Sequence, residues 1–122
     1  MLASTAIAGT DIVAIDYGGP VRTEEMLDAC EEVDAVVARC GTVRLLVVHA
    51  HDDPTRWEPR AMWSDLLTAR CLRDVDRVAV VADADWIDGI DGVDANGRWI
   101  PARGFRADRR DDALAWLRAT SG

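Results

Sequence analysis

The stretches VRLLVV (residues 43–48) and VAVVA (residues 78–82) decide the fold. A strand with one face in water alternates apolar and polar side chains. A strand covered on both faces is apolar at nearly every position, and central parallel strands are the usual case. Parallel neighbours need a crossover between them, and a helix predicted at about residues 59–72 supplies it. Pro59 suits the first turn of that helix, where its missing N–H costs nothing. The capping box Thr55-x-x-Glu58 competes with this start and would push Pro59 one turn inside, so the later start is preferred. Trp63, Leu67 and Cys71 then share one face at i, i+4 and i+8.

Upstream, DIVAIDY (residues 11–17) reads as a strand ended by Gly18-Gly19-Pro20, and residues 2–8 can pair with it as a hairpin through Gly9-Thr10. Thr23 is the expected N-cap of the next helix, with Glu24 and Glu25 in its first turn, favourable to the helix dipole. Its expected apolar stripe is Met26, Cys30, Val33, Val37 and Cys40, and Gly41 is its stop. Downstream, DADWIDGIDGVDANG (residues 83–97) places Asp85, Asp88, Asp91 and Asp94 at every third position. The expectation is a solvated acidic helix or loop, weakened by Gly89 and Gly92. A short strand at about residues 102–106 follows. Asp108 with Asp111 is expected to cap a last helix whose Ala113, Leu114, Trp116 and Leu117 face inward. The alternation of strands and helices, with short links, predicts one α/β domain over residues 1–122 with a mostly parallel sheet.

At 122 residues the chain has room for one such domain. It carries 14 Arg, no Lys and 22 acidic residues, for a net charge of −8. That balance excludes nucleic-acid backbone as a main partner and makes any peripheral membrane contact non-electrostatic. The charge is uneven: the last 25 residues hold six Arg against three Asp, including Arg103, Arg106, Arg109 and Arg110. Pairing with the acidic remainder or a contact in a homodimer is the expected use. The three cysteines (Cys30, Cys40, Cys71) have no Cys-x-x-Cys spacing. Cys30 and Cys40 would lie about 15 Å apart on one helix, too far to bridge, and are expected to pack on its buried stripe. No basic leader precedes the apolar start, so a reduced, cytoplasmic setting is expected.

The run GTVRLLV, then Trp57, Ala61, Trp63 and Asp65, then DVDRVAVVAD with Trp86, then Trp99-x-Pro101, Phe105 and ALAWLR resembles the SpoIIAA-like proteins of the STAS fold. That fold takes its name from sulfate transporters and anti-sigma-factor antagonists. The resemblance runs from about residue 11 to the end. It implies a sheet of about four to five strands with helices chiefly on one face. Classical antagonists carry an Asp-Ser-Gly-like motif after the third strand, where the Ser is phosphorylated by a partner kinase. The corresponding stretch here, HAHDDPTRWEPRAMWSDLL, lacks it and offers only Thr55 and Ser64. Asp52 and Asp53 already load the entrance with negative charge, so no phospho-switch is expected there.

His49-x-His51-Asp52-Asp53 is the cluster with metal-ligand chemistry. Alternation puts both imidazoles on one side of an extended segment at a strand's C-terminal end, where α/β sheets place ligands. Asp83 and Asp85 could complete a zinc or manganese sphere, which would make metal-assisted hydrolysis the alternative function. The spacing matches no complete signature, and two hydrogen-bonded histidines at a polar strand end are the preferred account. The Asp-rich run fails the EF-hand register, since counting from Asp83 puts Ile87 and Asp88 at positions 5 and 6. No Gly-x-Ser-x-Gly or glycine-rich phosphate loop occurs, and no cofactor is expected. Of the five Trp, Trp99 and Trp116 are read as packing residues. Trp57, Trp63 and Trp86 can either fill the helix–sheet core or rim a binding edge. The expected function is a non-enzymatic module that binds a protein partner or an apolar small molecule. Trp57, Trp63, Asp65, Asp83 and Trp86 mark its edge.

Overall fold

The computed structural model describes residues 2–18, 22–49, 74–83, 87, 89, 91–95 and 98–119. Six strands form one sheet in the order β1-β2-β3-β4-β6-β5. They are β1 (Leu2–Ala6), β2 (Ile12–Tyr17), β3 (Val43–His49), β4 (Val75–Val81), β5 (Gly92–Ala95) and β6 (Arg98–Phe105). The pairings β2–β3, β3–β4 and β4–β6 are parallel, and an antiparallel hairpin closes each border. The mostly parallel sheet is therefore as expected, and the two near-continuous apolar stretches occupy its middle. Helix α1 (Thr23–Cys40) and helix α2 (Arg110–Arg118) are the described helices. The predicted helix at 59–72, with Cys71, lies outside the described residues.

Two-sided burial explains the composition of β3 and β4. Leu45, Val47, Val78 and Val80 pack with Ala29, Val33 and Val36 of α1 on one face. Leu46, Ala79 and Val81 pack with Ala113 and Leu117 of α2 on the other. Alternate residues of a strand point to opposite faces, so each must be apolar to serve both layers. Full burial of one such side chain contributes about 1.5–3 kcal/mol.

The first hairpin turns at Gly9, whose φ of 76° suits glycine. Thr10 Oγ1 donates to Ile7 O at 2.8 Å and accepts from Ile12 N–H at 3.1 Å. The cap of helix α1 lies one residue earlier than predicted: Thr23 is already helical and Arg22 is the cap. Gly41, left-handed at φ 82°, ends it by donating to Val37 O at 2.7 Å. The buried stripe is also rotated. Ala29, Val33 and Val36 are buried, Met26, Cys30 and Val37 flank them, and Cys40 is exposed. The expectation that Cys40 packs inward is corrected: it lies in the last turn beside the hairpin, its thiol 3.9 Å from Thr10 O.

The Asp-rich run also departs from the expected helix or loop. Its later part is the strand β5, paired with β6 from Gly92↔Pro101 to Ala95↔Arg98. Gly92 and Gly89 weaken the helix, and β6, beginning at Arg98 rather than at about residue 102, offers a ready partner. Trp99, expected to pack inside, is 59% exposed. Its indole lies across Gly92, where an added Cβ would sit 2.7 Å from Nε1. The bare glycine gains cover from the aromatic side chain on the neighbouring strand. At the other end of β6, residues 107–109 form a 3-10 turn and α2 begins at Arg110 without a side-chain cap, so Asp108 does not cap it.

Glu25 ties α1 to the sheet border. Its carboxylate accepts Leu2 N–H at 2.8 Å and Arg22 N–H at 3.1 Å. These bonds, Leu2's first, hold its pKa below the ordinary 4.5. A depressed folded value means that the contribution is complete above the unfolded pKa and is lost as pH falls through the folded one. Between about pH 5 and pH 3, the native protein is expected to lose more stability than Glu25→Gln, read as denaturation midpoints in urea. Parallel curves for the two proteins would contradict this.

Candidate functional site

Four parallel strands end together on one rim of the sheet, and their last residues define the candidate site. Tyr17 of β2 pairs in register with His49 of β3, and Val81 of β4 pairs with Phe105 of β6. Ala82 N–H donates to Phe105 O at 3.0 Å, extending that ladder by one bond. Open α/β sheets bind ligands beyond the carboxyl ends of their strands, which is this rim.

Asp83 lies two residues beyond the end of β4 and is exposed. Its Oδ1 accepts Ala107 N–H at 3.1 Å. The carboxylate thereby joins the exit of β4 to the turn after β6 and is held in place on the rim. His49 is half-buried at the end of β3. Arg103 stacks over the Phe105 ring at 5.3 Å, and Phe105 meets Trp116 at 6.2 Å between centroids. Trp116 is thus the packing residue expected of it. In the basic segment, Arg109 pairs with Asp112 at 3.2 Å, a contact within the segment rather than the expected pairing with the acidic remainder.

Of the five residues assigned to the binding edge, Asp83 is placed on the rim. Trp57, Trp63, Asp65 and Trp86 lie outside the described residues. So do His51, Asp52, Asp53 and Asp85 of the alternative metal cluster, and the hydroxyls of Thr55 and Ser64. Among the described residues no group of three or more His, Cys, Asp or Glu is set to hold a metal ion. No described helix is long and apolar enough to cross a membrane.

A second polar cluster, at the opposite end of the parallel strands, was not anticipated. Arg44 of β3 and Arg77 of β4 are register partners on the α2 face. The register shifts between Val43 and Arg44, leaving Asp76 as an extra residue in β4. Bulges re-aim side chains, and Asp76 reaches Arg44 Nε at 3.4 Å and Arg77 Nε at 3.6 Å. Arg44 also pairs with Asp11 at 3.5 Å and donates to Leu117 O. Arg77 donates to Trp116 O at 3.0 Å and to Ala119 O at 3.1 Å, with its guanidinium 5.1 Å over the Trp116 ring. Both cations thus satisfy carbonyls at the C-terminal end of α2, where the helix dipole favours positive charge. An arginine inside an apolar strand was the available signal for this cluster. Its structural task is to dock α2.

A scan against protein-family models matches residues 12–118 to the SpoIIAA-like family. Searches of curated proteins and of solved structures find no significant match.

Proposed function

This chain belongs to the SpoIIAA-like family, and we propose that it is a regulatory STAS-type module that works by binding a protein partner at the rim where its parallel strands end. Trp57, Trp63, Asp65, Asp83 and Trp86 are the contact residues of this proposal. The observation that carries it is the family membership together with the placement of Asp83. Among the described residues the core holds no buried polar or charged side chain. On the rim, Asp83 supplies a polar group that is exposed yet fixed by the Ala107 amide. A positioned carboxylate suits a protein interface, in which a few aromatic residues carry most of the binding energy and polar groups set register; the proposal gives the aromatic role to Trp57, Trp63 and Trp86.

Trp57→Ala and Trp86→Ala are expected to keep the native melting profile and to lose, by about tenfold or more, a protein retained by the unaltered chain. Capture unchanged in both folded variants would reject the rim as the partner surface. Two other outcomes would redirect the assignment. A melting temperature raised by added fatty acid would assign the edge to an apolar ligand by mass action on the folded state. A stoichiometric transition metal in protein purified without chelators would favour hydrolysis at His49, His51, Asp52 and Asp83.

A further inference from the structure

Among the described residues, strand β1 forms one border of the sheet and pairs with β2 alone. In an antiparallel ladder successive N–H groups point alternately toward the partner and away from it. Ile7 N–H donates to Ile12 O at 2.9 Å, so by alternation the amides of Ala3 and Thr5 face β2. Those of Leu2, Ser4 and Ala6 face outward. Such an unpaired row is a template for another strand. Natural borders are usually blunted by charge, proline or a bulge within the strand. The sequence of β1, LASTA, contains no charged residue and no proline, whereas the opposite border, β5, carries Asp94.

The blunting groups of β1 come instead from α1. Glu25 accepts Leu2 N–H at 2.8 Å, and Glu32 accepts Ala6 N–H at 2.9 Å. Seven residues of helix rise roughly 10.5 Å, and four residues of strand span roughly 13 Å. The two carboxylates are therefore spaced to reach the first and last outward amides together. We propose that Glu25 and Glu32 form a guard that keeps the β1 border from pairing with β1 of a second copy of this chain. The occupant is a second copy because β1 carries no charge that would repel an identical strand laid against it. Antiparallel pairing about a two-fold axis would give each copy the same contacts. The guard is an intramolecular contact that competes with the intermolecular ladder for the Leu2 and Ala6 amides.

The test compares Glu25→Ala/Glu32→Ala with Glu25→Gln/Glu32→Gln by sedimentation velocity over a range of concentrations. Both remove two negative charges, but the glutamine amide oxygens can still accept the two N–H bonds. The alanine protein is expected to double in mass relative to the native chain, and the glutamine protein to keep the native mass. Adding Ser4→Pro to the alanine protein removes the central outward N–H at a border position that tolerates proline, and is expected to restore the native mass. Three results would each overturn the proposal: an alanine protein of native mass, doubling that survives Ser4→Pro, and equal doubling in the glutamine protein. Should the alanine protein fail to fold, hydrogen exchange in the native chain decides. The Leu2 and Ala6 amides must exchange more slowly than the Ser4 amide, and equal rates reject the guard.

Discussion

Gly104→Val is expected to cost about 3 kcal/mol or more of folding stability, because the substituted side chain has no room. Gly104 lies on β6 opposite Val80 of β4. A Cβ built there would stand 2.6 Å from Ile87 Cγ1 and closer still to Ile87 O. Ile87 is fully buried and belongs to the core layer beneath α1. The obstruction includes backbone, so a rotamer change cannot relieve it. Either the chain around Ile87 lifts off the sheet, exposing an isoleucine, or β6 moves away from β4. For a domain of this size the melting temperature should fall by roughly 10 °C or more. Gly104→Ala meets the same carbonyl and should show most of the effect. A Gly104→Val protein melting within about 2 °C of the native chain would contradict this account of the packing.

The second large effect concerns the arginine pair that docks α2. Arg77→Ala removes two hydrogen bonds from a cation to helix carbonyls, an ion pair with Asp76 and a stacked contact on Trp116. Hydrogen bonds to charged groups contribute about 1.5–3 kcal/mol each when partners are left unsatisfied, and the half-buried setting reduces that sum. A loss of about 2–3 kcal/mol is expected for Arg77→Ala, and a similar loss for Arg44→Ala. Arg77→Lys should recover less than half, since an ammonium neither stacks as a plane nor spans two carbonyls. The double alanine variant should lose less than the sum of the single losses, because both arginines share Asp76 and the end of α2. Chemical denaturation gives the energies, and amide exchange along residues 110–118 shows whether α2 frays first. Losses below about 0.5 kcal/mol would reduce the pair to ordinary surface charges.

The candidate site and the fold were legible in the sequence to different degrees. Residues 43–48 and 78–82 declared themselves as the sheet centre, since no other setting tolerates apolar side chains on both faces of a strand. Gly9 and Gly41 marked a turn and a helix end through backbone conformations that other residues rarely adopt. Local chemistry sufficed in each case. For the site, Asp83 was recognisable as an acid at a strand exit, but its bond to Ala107, 24 residues away, was not. The same limit hid Asp76, which the bulge in β4 turns toward two arginines.

What the sequence determined alone is which segments are covered on both faces and which are amphipathic. Each residue carries that information in its own polarity and in that of its near neighbours. Only the tertiary structure decided that the acidic run ends as the strand β5, that Trp99 lies outward across Gly92, and that two glutamates of α1 close the β1 border. Those outcomes depend on which distant segment offers a hydrogen-bonding edge, an open face or an unpaired amide. Such a partner is chosen by the packing of the whole chain, because the local preferences of these segments are too weak to select it.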